Sequence, residues 1–133
     1  MNDDFVGSWA YRSFLRDADL STSFENLRFG TGTMVLVDEG EGVLTGSLGG
    51  SGWSLSLTGQ WTASDPHTMK VQGRGEIGGE LWVYDYLGYL APAWPTGVDE
   101  TPSILGSIIR TQAHSSGTAP AGFVASWYAV KQQ

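Results

Sequence analysis

Apolar and polar residues alternate most cleanly over residues 53–63. Trp53, Leu55, Leu57, Gly59 and Trp61 share one face; Ser54, Ser56, Thr58, Gln60 and Thr62 share the other. A period of two marks a strand with one face on a core and one in water. Residues 68–77 repeat it, with Met69, Val71, Gly73, Gly75 and Ile77 set against Lys70, Gln72, Arg74 and Glu76. Six more β-rich segments are predicted at 5–15, 29–38, 43–48, 80–91, 104–114 and 121–132. Glycine and proline turns separate them, including Gly49-Gly50-Ser51-Gly52 and the two-residue hairpin signal Gly78-Gly79. Residues 17–27 differ: they are polar, and Thr22 and Glu25 have the spacing of a capping box. They predict one short helical turn, near residues 22–27, across a barrel end. The connections are mostly short. The expected fold is therefore all-β: an eight-stranded antiparallel up-and-down β-barrel, one domain over residues 1–133, closed so that no sheet edge is exposed.

Four strands break the alternation. In 80–91, Leu81, Val83, Leu87 and Tyr89 oppose Trp82, Tyr84, Tyr86 and Leu90, so both faces are apolar. In 104–114, Ile104 and Ile108 oppose Leu105 and Ile109. The first and last strands behave similarly. A strand in a lone barrel needs only one apolar face, so a second subunit or a loop is expected to cover the other. Trp82, Ile109, Phe123 and Trp127 are the candidate outward residues, and a homo-oligomer, dimer or tetramer, is the expected state.

Composition narrows the function classes. No cysteine is present, so disulfides, thiolate catalysis and cysteine metal sites are excluded. Nineteen glycines and sixteen aromatics beside little charge read as β architecture. The net charge of −7 argues against nucleic acid and against an anionic membrane surface. No run approaches the length of a spanning helix, and Met-Asn-Asp-Asp is not the start of a signal peptide. A cytoplasmic location is the expectation, though a cleaved signal peptide would leave no trace.

Gly7-Ser8-Trp9 opens the first strand. A Gly-x-Trp there resembles the opening signature of the calycin barrels, the lipocalin and avidin type. In those families the tryptophan plugs the closed barrel end, and a basic residue from the final part of the chain often packs on it. The resemblance implies that role for Trp9, with Arg110 or Lys131 as partner. It covers these three residues and the strand number. The length is nearer that of avidins than of lipocalins, and no avidin set of ligand-binding positions is recognisable, so biotin binding does not follow.

The chemistry-bearing residues gather on the sixth and seventh strands. Trp82, Tyr84 and Tyr86 share a face, and Asp85 points away from them with Val83 and Leu87. Either face could line a cavity. An inward Asp85 would have to be paired or carry a raised pKa, and Arg110 on the adjacent strand is its natural partner. That pair would either fix strand register or anchor a ligand. The loop 92–103 carries three prolines and Trp94. It reads as a packed turn or as a lid, which would place the site at that mouth with Tyr86, Tyr89 and Trp94 gathered there. His114 is expected toward the opposite end. His67 reads as a turn residue, and no metal-ligand spacing is visible. Gly73-Arg74-Gly75-Glu76-Ile77-Gly78 fits G-x-G-x-x-G, but strand-like sequence flanks it on both sides, so coiling of a barrel strand is the better reading. No G-x-S-x-G elbow occurs.

Three functions follow. The first is a barrel holding a small apolar or aromatic molecule, with Tyr84, Asp85, Tyr86, Tyr89, Trp94 and Arg110 as ligand-binding residues. The second is a cofactor-independent cyclase, isomerase or lyase using Asp85, Arg110 and His114. The third is a packed structural barrel. No cofactor is implied.

Overall fold

A computed structural model describes residues 5–91 and 101–132. The alternation becomes eight strands: β1 Gly7–Phe14, β2 Arg28–Gly40, β3 Val43–Gly50, β4 Trp53–Thr62, β5 Thr68–Ile77, β6 Glu80–Ala91, β7 Ser103–Arg110 and β8 Val124–Lys131. Each pairs antiparallel with the next, and β8 pairs with β1 to close the barrel. The order is a plain meander, as short connections require. Among the described residues no helix is long and apolar enough to cross a membrane.

Among the differences from the expected bounds, two change the local picture. β7 stops at Arg110 rather than at His114. Past Arg110 the chain doubles back, with Ser115, Ser116 and Gly117 all at positive φ and His114 bridging Ala119. The helical turn is a single 3-10 turn, Phe24–Leu27, and the capping box is not made. Thr22 instead donates its hydroxyl to Asp17 at 3.0 Å, leaving Ser23 at the N-cap with no side-chain bond.

One end of the barrel is plugged. Trp9 is fully buried and donates its indole N–H to the Phe5 carbonyl at 2.9 Å. Lys131 sits opposite Trp9 in the β1–β8 ladder. Its ammonium lies 4.8 Å from the centre of the Trp9 ring and donates to the Val6 carbonyl. Lys131, not Arg110, is thus the basic residue on this tryptophan. Gly7 makes room for it: a Cβ there would sit 3.0 Å from the lysine chain, and its φ of +127° disfavours any other residue. Met34, Leu36, Leu48, Leu57 and Met69 are buried with it in one hydrophobic core. The G-x-G-x-x-G run lies within β5 and the hairpin after it, not at a helix N-terminus. A Cβ on Gly75 would lie 2.3 Å from the Ser54 carbonyl oxygen, so that glycine lets β4 and β5 approach closely.

The outer face corrects the expected set of exposed residues. Trp127 is buried inside, with its indole N–H on the Ser107 carbonyl at 3.0 Å. Trp82 and Phe123 also pack against the core. Of the four residues named, Ile109 alone faces outward, joined by Leu87, Tyr89 and Leu105.

Candidate functional site

The half of the barrel away from Trp9 is not filled. A cavity of about 410 Å³ opens there, lined by Tyr11 and Ser13 of β1, Phe29 and Gly30 of β2, and Gly52 and Trp53 at the start of β4. Ile77 of β5, Trp82, Tyr84 and Tyr86 of β6, Arg110 of β7 and His114 complete the wall. This is the end where β5 turns into β6 and β7 into β8. It is opposite the end where β6 leads to β7, so the site is not at the mouth expected for the loop 92–103. The reason is strand length. Arg110 lies seven residues along β7 from Ser103, about 23 Å away at a strand's rise per residue. Trp94 lies outside the described residues.

The register decides which face of β6 looks inward. Tyr84 stands opposite Gly73 on β5, and Tyr86 opposite Val71. A Cβ on Gly73 would lie 3.1 Å from the Tyr86 ring, so this glycine leaves room for that phenol on the inner face, which Trp82, Tyr84 and Tyr86 share. Asp85 therefore points out, where it accepts a hydrogen bond from Gln72 Nε2 at 3.2 Å. Across the ladder it meets Ile109, while Tyr84 meets Arg110. The expected Asp85–Arg110 pair is not formed, because the two side chains occupy opposite faces. Tyr89 also faces outward and is half exposed. Arg12 lies outside as well, over the ring of Tyr128.

The floor of the cavity is aromatic. Tyr11, Tyr86 and Trp127 pack with ring centres 5.8–6.3 Å apart. Burial pushes the Tyr11 hydroxyl up to about 12, against the lowering effect of hydrogen bonds with Ser13 and Tyr86. Burial likewise pushes Tyr86 well above the ordinary phenol range. Both are neutral phenols at physiological pH.

The rim is polar and connected. Arg110 is 6% exposed. Its Nε–H donates to the Tyr84 hydroxyl at 3.2 Å and Nη1 to the Pro120 carbonyl at 3.3 Å. The Tyr84 oxygen lies 2.8 Å from His114 Nε2, and His114 Nδ1 lies 2.9 Å from Ser115 Oγ. The arginine can only donate, so the Tyr84 oxygen accepts from it and keeps its own proton free to donate to Nε2 when the imidazole carries its hydrogen on Nδ1. Burial, then the nearby Arg110 charge, lowers the His114 pKa, which keeps the ring neutral. Its plane stacks on Trp82 at 3.9 Å.

His114, expected toward the opposite end, thus joins Tyr84 and Arg110, whereas Asp85 and Tyr89 stand apart. Tyr11, Ser13, Phe29, Trp53 and Ile77 were not foreseen as cavity residues. The signal for them was the parity of the meander: odd strands end, and even strands begin, at the same barrel end. Among the described residues no three His, Asp or Glu side chains converge as a metal site would require. Comparison with family models, curated proteins and solved structures found no match for this chain.

Proposed function

We propose that this protein is a calycin-like binding barrel that takes a small, largely apolar aromatic molecule into its open end. One observation carries the reading: a cavity of about 410 Å³ walled by aromatic rings with a few convergent polar groups at its rim. That volume lies in the range of small-molecule sites. A wholly packed structural barrel would fill this space with side chains, as the Trp9 end does. The plug of Trp9 under Lys131 supports the calycin-type likeness. The ligand-binding residues are Tyr84, Tyr86 and Arg110, with Trp53, Trp82 and His114 beside them.

The test is a fluorescence titration with N-phenyl-1-naphthylamine, which brightens in apolar surroundings. Saturable binding of one molecule per chain is expected, and Ile77→Trp, which narrows the mouth, should abolish it while the thermal melt stays cooperative. Absence of saturable binding, or binding unchanged in Ile77→Trp, overturns the reading.

The hydrogen-bonded row Ser115–His114–Tyr84–Arg110 favours a second reading, an acid–base enzyme without a cofactor. Tyr84 and His114 would then move the proton, and Asp85, on the outer face, has no part. Tyr84→Phe would retain the ligand and lose turnover. The outward Leu87, Tyr89, Leu105 and Ile109 form the face through which copies of the chain would associate.

A further inference from the structure

We propose that the molecule admitted to this cavity is an organic anion, a planar aromatic carboxylate whose acid group is held by Arg110. The inference rests on the binding reading above and narrows it to a chemical class.

Arg110 brings a guanidinium to the cavity wall. It carries five N–H donors. Nε is spent on Tyr84, and Nη1 makes one bond to Pro120. Among the described residues no carboxylate lines the cavity. Asp85 is turned to the outer face, and Glu80 accepts the backbone N–H of Ser116 at 3.1 Å. A buried charge is ordinarily matched by an opposite one, because leaving it alone is costly. Here its surroundings are ring faces instead. The guanidinium carbon lies 4.7 Å from the centre of Phe123, 5.6 Å from Tyr84 and 6.0 Å from Phe29. Such faces attract a cation without neutralising it. Arg110 lines the cavity, and the planar fork of a guanidinium suits the two oxygens of a carboxylate.

The rest of the cavity supplies the class of the molecular body. Trp53, Trp82 and Tyr86 offer flat apolar walls, and the volume admits two or three fused rings. The neutral His114 and the protonated phenols bring no negative charge to oppose an anion. The chain's net charge is −7 and Glu80 acts on His114, so an anion would be attracted by Arg110 against the general field.

The experiment compares two competitors of nearly one shape, 2-naphthoate and 2-naphthylmethanol, each displacing N-phenyl-1-naphthylamine from the whole protein. Naphthoate should displace the reporter at a concentration lower by about ten-fold or more, the scale of a hydrogen bond to a charged group. In Arg110→Met and Arg110→Gln the preference for naphthoate over the alcohol should shrink to within about two-fold. Equal displacement from the parent protein overturns the proposal while leaving the binding barrel in place. A naphthoate preference that persists in both variants overturns Arg110 as its cause. Failure of all three probes to bind the parent overturns the binding reading and this one together. The parent comparison stands even where a variant does not fold.

Discussion

Tyr84 is the residue on which the rim depends, since one hydroxyl oxygen serves both Arg110 and His114. Removing that oxygen takes the shared partner from two nitrogens. Tyr84→Phe should cost about 1–3 kcal/mol, the range for leaving a buried polar group unpaired. Urea unfolding of the two proteins measures it, and an unchanged midpoint would refute the network. Asp85, the carboxylate most prominent in the sequence, gives the contrast. Among the described residues it bonds to Gln72 on the outer face, so Asp85→Asn should change stability by less than about 0.5 kcal/mol and leave cavity binding intact.

At the scale of elements, what could be read in the sequence follows from how much each strand differs between its faces. β4 and β5 set tryptophan, leucine and valine against serine, threonine and charge, so their inward faces and bounds were plain. β6 offers apolar residues on both faces, and only its register against Gly73 tells which face has room for phenol rings. The same ambiguity misdirected Trp127 and Trp82. Arg110 was legible as a site residue but not its partners, because pairing by adjacency ignores the face. The Gly-x-Trp opening was informative because its physics is local. Gly7 clears space, Trp9 plugs the end, and Lys131 lies across the ladder to cover the ring. Lys131→Met keeps most of the chain's bulk and removes the cation over the indole and its bond to Val6. Loss of about 1–2 kcal/mol is expected from a partly desolvated cation–π contact, read as a lower thermal midpoint with cavity binding unaffected. Weakened binding of the reporter in this variant would show that the two ends of the barrel are coupled.

For the whole molecule, two properties follow from what is inside and what is outside. Inside, neutral groups set both pH limits. His114 is held neutral in the fold, with its pKa below the ordinary 6.5. As pH falls through that ordinary value the unfolded chain takes up the proton first, so stability declines until the lower folded value is passed. His114→Gln should flatten this acid limb. On the alkaline side Tyr11 titrates near 12 in the fold against 10.0 when unfolded. Its stabilisation is complete below 10 and is lost between the two values, up to about 3 kcal/mol, with Tyr86 acting in the same direction. Urea midpoints across pH 5 to 12 give both limbs. Outside, the apolar residues of β6, β7 and β8 are contiguous through the ladder. Tyr89 stands beside Leu105 and Leu105 beside Tyr128, while Ile109 stands beside Val124. Leu105 and Tyr89 are 50% and 46% exposed, and Leu87 and Ile109 are 38% and 41% exposed. Water gains nothing from such a face, and two copies meeting through it would bury it symmetrically. Light scattering at tens of micromolar should therefore give at least twice the 14.3 kDa of one chain. Leu105→Lys should return the particle to that single mass without changing the barrel's β circular dichroism or its uptake of N-phenyl-1-naphthylamine. A parent protein that scatters as one chain would leave this face as ordinary surface.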